Sequence, residues 1–590
     1  FSDRLGTINR IRLDIFRKKF FIKFLNNFLA QLTPFFFYSI GGYLVIGGSM
    51  SIGALVAVLA AYKDLSAPWK ELLKYYQTME DSRIKYEQLV DQFEPDGMIE
   101  EHLIDIPKTP PVWIDGPISA NNLTYQEDEA AALVNGAFFT LDPKGHTAIT
   151  GPDANGKSMV TDLIARRIWP TNGRLKIGET FMDELPMAFY GRHISYVDQE
   201  PYIRSGTLMD NLLLGLNHEP DLENLPPDVD PDRLIESEKS GNSPYDIKAD
   251  WIDYAASGAA NQAGLLDLAV HVLDEVDLKH DVFQIGLQRT FDTDRYPSLV
   301  DGVLQARAEI RERLQSDELK DLVEVFDIDK FNTNASVAEN LLFGAPRDDT
   351  FNVETLGGNL RIAAVLDQCN LTGQFLDIGT AVAKLMVELF HDLPPGHDFF
   401  ERFSFIDSEM LPEYQAILGR VAEIGLGGLE ENERHMLSDL TFKLIPARHH
   451  LDMIDDHMQK KILLARHIFI DHLDHSLASS IEFFHAEKYI ASSNILNNIL
   501  FGKTSFNKAG GPELINDLLS GVIEKLGLET QIAAVGLDWD VGISGKRLSM
   551  PQRQKLSLAR CLIKRPQLLI VNKALASLDP TGQQQIFAKV

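Results

Sequence analysis

One eight-residue loop, GPDANGKS from Gly151 to Ser158, constrains the fold of this 590-residue chain more than any other stretch. It has the pattern Gly-x-x-x-x-Gly-Lys-Ser. We expect a short apolar strand at Ala148 and Ile149 before the loop and a helix after it. In that setting the glycines let backbone N–H groups surround a phosphate, and the positive end of the helix points toward it. The loop therefore predicts an α/β domain that binds phosphate.

The side chains of this loop have distinct predicted roles. Lys157 is placed to reach the β and γ oxygens of a nucleoside triphosphate, and the Ser158 hydroxyl is placed for Mg²⁺. The alternative is a glycine-rich turn without function. The residues predicted to bind nucleotide in this segment are Gly151, Asp153, Ala154, Asn155, Gly156, Lys157, Ser158 and Met159.

Residues 24–62 contain no charged side chain. One membrane-spanning helix needs about 20 apolar residues, so the stretch predicts two spans, 24–46 and 52–70, joined by the turn GGSMS (47–51). Basic residues flank both outer ends, which places those ends in the cytoplasm. We expect the second span to continue as a cytoplasmic helix to residue 94. A buried hairpin of a soluble protein is the alternative.

Composition limits the partners. The chain carries 56 Lys plus Arg against 85 Asp plus Glu, a net charge of −29, which disfavours nucleic acid. Its 2 cysteines predict no disulfide scaffold and fit a reducing compartment. Because the first residue is Phe1, we expect a fragment that begins within a longer protein.

Further segments follow the loop in a recognisable order. They are ISYVDQEPYIRSGTLMDNLLLG (194–215) and ISGKRLSMPQRQKLSLARCLIKRPQLLIVNKALASLD (543–579), and the segment NNLTYQ, with Tyr125, precedes the loop. Their order and spacing resemble the ABC transporter family, in the exporter form that fuses membrane helices to the ATPase. The resemblance covers most of the chain.

The resemblance implies roles for single residues. Tyr125 would stack on adenine, and Gln199 would bind Mg²⁺ together with Ser158. Two ATP-binding domains would close head to tail around ATP, so that Ser549 reaches the partner's nucleotide and Asp579 lies at the seam between the two domains.

Four positions depart from the family pattern, two of them in the signature. The signature Leu-Ser-Gly-Gly-Gln is Leu-Ser-Met-Pro-Gln here, and Pro551 has no backbone N–H. Asn572 stands in place of the aspartate that holds Mg²⁺. Lys573 stands in place of the catalytic glutamate, and a protonated lysine is no general base. We therefore expect slow or absent hydrolysis, unless a partner chain or another carboxylate supplies the base.

The chain repeats itself between the segment at 194–215 and the segment at 543–579. Residues 194–215, 323–344 and 481–502 align without gaps, with Asn211, Asn340 and Asn498 at one position. Residues 272–286, 365–379 and 522–536 form a second set, and 454–466 resembles 548–560. We interpret these as tandem copies of one helical lobe that serve as scaffold or docking surface. A single irregular insertion is the alternative.

The predicted fold is thus an α/β P-loop NTPase domain of ABC type with a large, mostly helical insertion, preceded by an all-α transmembrane hairpin. Residues 1–94 form the end of the transmembrane domain, 95–117 a linker, and 118–590 the ATP-binding domain, in which 216–542 holds the repeated lobes.

Two functions fit this fold. The first is an ATP-binding and permease subunit in the plasma (inner) membrane, with its ATP-binding domain in the cytoplasm, which moves an unidentified substrate. Its partners would be membrane lipid and a second ABC subunit, identical or different, and no nucleic acid. The alternative is a catalytically degenerate regulatory or structural subunit that pairs with an active ATPase.

Overall fold

The structure is a computed structural model that describes residues 2–94, 98–105, 111–127, 131–152, 156–220, 231–246, 249–317, 319–390, 406, 409–474, 477–506, 508 and 510–590. The chain divides into two compact units, Phe1–Ile104 and Asp105–Val590. The first unit contains the helices α1 (Ser2–Ile46), α2 (Ile52–Phe93) and α3 (Glu101–Ile104).

Helices α1 and α2 form a hairpin in the first unit. The Ser51 hydroxyl accepts a hydrogen bond from the Ala54 N–H (3.1 Å) and so begins α2, and the Tyr62 hydroxyl donates to the Ala30 carbonyl across the hairpin (3.2 Å). Among the described helices one, over Arg4–Ile46, is long and apolar enough to cross a membrane (mean hydropathy 1.4). The second span, expected in the first part of α2, stays a prediction.

The second unit is mostly helical. Its helices are α4 (Lys157–Ile164), α5 (Met187–His193), α6 (Leu208–Leu212), α7 (Pro231–Ser240), α8 (Tyr254–Ser257), α9 (Gln262–Glu275), α10 (Lys279–Leu287), α11 (Pro297–Arg313), α12 (Val337–Leu342), α13 (Leu360–Gln368), α14 (Thr372–Phe390), α15 (Leu411–Ile424), α16 (Glu431–Lys443), α17 (Pro446–His449), α18 (Asp456–Asp471), α19 (Ile495–Leu500), α20 (Gly511–Lys525), α21 (Glu529–Leu537), α22 (Met550–Ile563) and α23 (Pro580–Lys589).

Short strands complete this unit. They are β1 (Ile118–Tyr125), β2 (Val134–Leu141), β3 (Asn172–Ile177), β4 (Thr180–Phe181), β5 (Ile194–Val197), β6 (Val323–Val325), β7 (Gly344–Pro346), β8 (Ile481–Phe483), β9 (Gly502–Thr504) and β10 (Leu568–Val571). Strands β1 to β4 form an antiparallel sheet in the order β2-β1-β3-β4, whereas β5 and β10 pair in parallel, with Tyr196 opposite Ile570. Apolar side chains of α4 and α5 pack against both sheets in one core.

The three aligned repeats share one local structure. Each begins with a strand (β5, β6 or β8) and continues to a short helix (α6, α12 or α19) that a polar side chain caps, namely Thr207, Ser336 or Asn494. Each short helix contains a fully buried asparagine that hydrogen bonds to the backbone of the preceding loop. These asparagines are Asn211, Asn340 and Asn498.

Each buried asparagine is clamped by an arginine from a distant helix. The arginine Nε donates to the asparagine carbonyl oxygen, and Nη2 donates to the side-chain oxygen. The pairs, with their Nε–O distances, are Arg560 with Asn211 (2.7 Å), Arg466 with Asn340 (2.6 Å) and Arg307 with Asn498 (2.6 Å). The first repeat therefore packs with the last of these helices, and the third repeat with the first.

The second and third repeats pair with each other about a local twofold relationship. Strand β6 pairs with β9 and β7 with β8, both antiparallel. The equivalent residues Phe326 and Phe484 stack with ring centres 4.1 Å apart, and their N–H groups donate to the carbonyls of Phe501 and Phe343, each at 3.0 Å. The strand edges that these repeats would otherwise expose are thereby paired.

Helices α10 and α21 belong to the first and third members of the second set of repeats, and they cross each other closely. A Cβ at Gly286 of α10 would lie 2.2 Å from the Ile532 carbonyl oxygen, and a Cβ at Gly536 of α21 would lie 2.1 Å from the Val282 carbonyl oxygen. Because two equivalent glycines face each other's backbone, α10 and α21 approach more closely than helices with side chains at those positions could.

Candidate functional site

The loop predicted to hold phosphate ends in a sharp turn at Gly156. Its φ is 80°, and a Cβ there would lie 2.2 Å from the Leu133 carbonyl oxygen, so only glycine fits. Helix α4 begins at Lys157, whose ammonium donates to the carbonyl of Gly151 at the other end of the loop. Met159, one turn into α4, packs against the core under the sheet. The described residues do not include Asp153, Ala154 and Asn155.

The strand predicted before the loop, at Ala148 and Ile149, is absent, so that prediction is wrong for this structure. Residues 146–150 are described but form no strand, and Ile149 is 41% exposed. The run has only two apolar residues between polar neighbours, so burying it as a strand stabilises the fold little. In the described part of the chain β10 consequently pairs with β5 alone.

Ser158 of the phosphate loop contacts the residue that follows strand β10 directly. The Ser158 hydroxyl donates to Asn572 Oδ1 (3.2 Å), and Asn572 Nδ2 donates to the Tyr196 hydroxyl oxygen (2.8 Å), which lies 3.3 Å from Thr161 Oγ1. Burial is the main cause that raises the pKa of Tyr196, so its hydroxyl stays protonated at neutral pH. These four neutral side chains form one hydrogen-bonded network, which the Asp162 carboxylate joins through Tyr196.

A cavity of about 420 Å³ opens beside this network. Lys157 and Ser158 line it from α4, and Asn572 and Lys573 line it from the end of β10. Lys573 has a φ of 52°, in the left-handed region that non-glycine residues rarely adopt. The structure thus brings together four of the residues that the sequence singles out, and two of these residues are lysines.

The described residues of this site do not form a protein-held Mg²⁺ site. Mg²⁺ in nucleotide sites is usually bound by one or two carboxylates together with phosphates and water. The predicted ligands Ser158 and Gln199 offer neutral oxygens, and the Ser158 hydroxyl is already turned to Asn572. The carboxylate among the lining residues, Asp142, accepts from the Lys144 N–H at 3.0 Å within its own turn.

Tyr125 lies at the end of β1, near the glycine that closes the loop. Its carbonyl accepts from the Leu133 N–H (3.0 Å), and the Leu133 carbonyl lies against Gly156. Its hydroxyl donates to Glu127 Oε1 (3.1 Å), and its ring is partly buried. This position is compatible with stacking on a base, which stays a prediction.

Gln199 is exposed, but a buried glutamine that the sequence analysis missed holds its backbone. Gln554, 1% exposed, donates from Nε2 to the Gln199 carbonyl (2.8 Å). Gln554 Oε1 accepts from both the N–H (3.1 Å) and the hydroxyl (2.6 Å) of Ser577. The signal was present in the sequence, because Gln554 lies on the same face of α22 as Leu558 and Cys561, and a polar residue among apolar ones needs a partner.

Ser549 begins helix α22. Its hydroxyl accepts from the Gln552 N–H (3.4 Å), and Gln552 Oε1 accepts from the Ser549 N–H (3.0 Å), a reciprocal capping box. Pro551 occupies the first turn, where its missing N–H breaks no helical bond but removes one donor from the exposed helix end. Gln552 Nε2 also donates to Asp281 Oδ1 (3.0 Å), which ties this helix start to α10.

Asp579 begins the last helix, α23. Its carboxylate accepts from the N–H groups of Thr581 (3.2 Å) and Gly582 (3.4 Å). Neither Asp579 nor Ser549 lines the cavity that contains Lys157. Their predicted role against a second ATP-binding domain stays a prediction.

This geometry defines a P-loop domain, and the comparisons with known proteins specify it further. The profile of the family described as ABC transporter matches residues 134–281, which include the phosphate loop and Gln199. This match agrees with the resemblance to the ABC transporter family that the sequence predicted.

Several known proteins are similar to part of this chain. Mesentericin-Y105 transport/processing ATP-binding protein MesD of Leuconostoc mesenteroides is 25% identical over 30% of this chain and 24% of its own length. Antigen peptide transporter 1 of Rattus norvegicus is 27% identical over 32% and 25%. The structure of a bacterial Atm1-family ABC exporter with ATP bound matches 32% of this chain and 31% of its own, with 19% identity and a TM-score of 0.21. The chain spans about a quarter of the length of these two curated relatives.

Proposed function

We propose that the chain is an ATP-binding and permease subunit of an ABC-type transporter, which couples nucleotide binding to the movement of an unidentified substrate. The single observation that supports this most is the convergence of Lys157, Ser158, Asn572 and Lys573 on one cavity at the P-loop. The apolar helix α1 supports the membrane part. The proposal places this helix in the plasma (inner) membrane and the ATP-binding domain in the cytoplasm, which the basic residues that flank the apolar stretch favour.

Each residue has a defined task in this proposal. Gly156 lets the backbone turn into α4, so that the N-terminal N–H groups of that helix face the phosphates. Lys157 leaves the Gly151 carbonyl to contact the terminal phosphates, and Tyr125 stacks on the base. Ser549 and Asp579 face a second ABC subunit, identical or different, that closes over the nucleotide.

Hydrolysis at this site is slow or absent in our proposal. In-line attack on the γ-phosphate requires a group that orients or deprotonates water. Asn572 carries no charge and is engaged with Ser158 and Tyr196, and Lys573 is a cation. The same pair favours the second candidate function, a nucleotide-binding regulatory or structural subunit that pairs with an active ATPase.

Parallel measurements of ATP binding and ATP hydrolysis by the chain in detergent test the proposal. We expect binding that Lys157→Ala abolishes, and hydrolysis at or near the background of that variant. Lys546→Ala, which removes an exposed lysine outside the cavity, serves as the matched control and should bind as the unmodified chain does. Absence of ATP binding would overturn both candidate functions.

If ATP binds, the rate of ATP hydrolysis distinguishes the two candidate functions. Hydrolysis that Lys157→Ala abolishes would show that another group replaces the missing carboxylate and would favour the transporter with its own catalytic site. Binding without hydrolysis, with hydrolysis restored by a second ABC subunit, would favour the regulatory role.

A further inference from the structure

Lysines from two segments line the cavity beside the P-loop. Among the described residues that line this cavity, the charged ones are Lys157, Lys573 and Asp142. Asp142 lies in the turn after β2, and its carboxylate accepts from the Lys144 N–H of that turn. A triphosphate entering this cavity therefore meets two ammonium groups and one carboxylate that is already hydrogen bonded.

Two further carboxylates near the phosphate loop form ion pairs with an arginine outside the cavity. Asp162 of α4 and Asp198 after β5 both pair with Arg167, at 3.3 Å and 2.8 Å. Neither lines the cavity. Burial by itself lowers the pKa of Arg167, but its neighbours Asp198 and Asp162 raise this pKa overall. The Asp198–Arg167 pair thus links the end of α4 to the end of β5, and both aspartates lie outside the lining of the cavity.

The position that a metal would share with the P-loop serine is closed by neutral groups. Ser158 donates to Asn572, Asn572 donates to Tyr196, and Tyr196 contacts Thr161. A divalent cation that displaced Asn572 from Ser158 would leave amide and hydroxyl groups without their partners and would gain no negative charge from Asn572 or Ser158.

The net charge of the site also favours nucleotide binding without Mg²⁺. Relative to a site with aspartate and glutamate at the two positions after β10, Asn572 and Lys573 make the protein more positive by about three charges, whereas a Mg²⁺ ion supplies about two. The protein therefore already carries the compensation that a bound Mg²⁺ brings to a triphosphate.

We propose that Lys573 replaces the metal at this site: its ammonium contacts the triphosphate opposite Lys157, so that ATP binds without a divalent cation. Lys573 has a left-handed backbone conformation, which is costly for a residue with a side chain. Strain of this kind is often found at residues that contact ligands. This inference rests on the proposed nucleotide-binding function and specifies how the charge of the nucleotide is compensated.

Titration calorimetry of the full chain in detergent with ATP, once in excess EDTA and once in excess Mg²⁺, tests the inference. We expect affinities within about threefold of each other in the two buffers, and a loss of about tenfold for Lys573→Met in EDTA, which corresponds to one lost charged contact. Lys546→Met removes an exposed lysine that does not line the cavity and should change neither affinity.

A reverse variant keeps the inference falsifiable. Asn572→Asp combined with Lys573→Glu restores two carboxylates and should bind ATP at least about tenfold more weakly in EDTA than in Mg²⁺. Binding by the unmodified chain that requires Mg²⁺, or EDTA binding that Lys573→Met leaves unchanged, would overturn the inference and leave the proposed function intact. No binding in either buffer would overturn the proposed function itself.

Discussion

Arg466 and Asn340 lie 126 residues apart in the chain and form one buried unit. Arg466 Nε donates to the Asn340 carbonyl (2.6 Å) and Nη2 donates to Asn340 Oδ1 (3.0 Å). Arg466 Nη1 donates to three further carbonyls, those of Asp327, Ile328 and Lys330, and the side chain is 1% exposed. Burial lowers the Arg466 pKa to about 10, so the side chain remains a cation at neutral pH.

Arg466→Met should destabilise its lobe by about 1–3 kcal/mol for each buried carbonyl group that loses its donor. The carbonyls that Arg466 now binds would stay buried without a donor. Hydrogen exchange followed by mass spectrometry on the full chain measures this, through faster exchange in α12 and α18.

The control for that experiment lies on the same helix. Lys460→Met removes a cation from the exposed face of α18 and should leave exchange unchanged. Equal protection in both variants would mean that the Arg466 contacts do not stabilise the lobe.

The sequence revealed that these lobes repeat, but not how they pair. The aligned asparagines and the shared Leu-Ala-Arg of two helices are visible in the chain, whereas Arg307, the third arginine, follows Gln-Ala and was missed. Pairing was unpredictable for a physical reason. Each asparagine can accept any of three equivalent arginines, and long-range packing of whole helices decides which one it meets.

The candidate site was predicted unevenly for similar reasons. Lys157, Ser158, Asn572 and Lys573 could be assigned because their motifs are local and strongly patterned, and they line one cavity. The strand at 148–149 could not, since two apolar residues do not fix a strand without knowledge of what covers them. Tyr196 and Gln554 contribute through contacts between segments that are far apart in the chain.

Gly536→Ala should force α10 and α21 apart. Its Cβ would lie 2.1 Å from the Val282 carbonyl oxygen, and backbone cannot move aside as a flexible side chain can. Overpacking of this kind typically costs about 1–3 kcal/mol. A lower midpoint in thermal unfolding of the full chain is the expected result.

Gly521→Ala is the matched control for that substitution. This glycine lies within helix α20, and the nearest atom to its Cβ would be Arg313 Nη1 at 3.9 Å, an ordinary contact. Alanine stabilises a helix interior by about 0.5–1 kcal/mol relative to glycine, so the midpoint should rise or stay the same. Two equal changes would contradict the close crossing.

Gln554→Met should loosen the segments around Gln199 and Ser577. The methionine fills a similar volume but removes the hydrogen bonds to the Gln199 carbonyl and to the Ser577 N–H and hydroxyl, each with a net contribution of about 0.5–1.5 kcal/mol. We expect faster hydrogen exchange at 196–200 and 574–578. Gln585→Met on the exposed face of α23 is the control, and identical exchange in the two variants would refute the role of Gln554.

Asp439→Asn should stabilise the chain at neutral pH and lose that effect in acid. Burial is the main cause that raises the Asp439 pKa to about 6, although the Gly357 N–H donates to its Oδ1 (2.6 Å). An unfolded aspartate has a pKa of about 3.9, so the folded form holds the proton more tightly. This contribution to stability is fully present below about pH 4 and is lost as the pH rises through about 6.

An asparagine at this position keeps an acceptor for the Gly357 N–H and never ionises. The difference in unfolding midpoint between Asp439→Asn and the unmodified chain should therefore be near zero at about pH 4 and grow to a few degrees by about pH 7. Asp377→Asn, at an exposed position on the neighbouring helix α14, should show no such growth. A difference that stays constant with pH would mean that Asp439 is ionised equally in the folded and unfolded chain, and that its burial does not act on its charge.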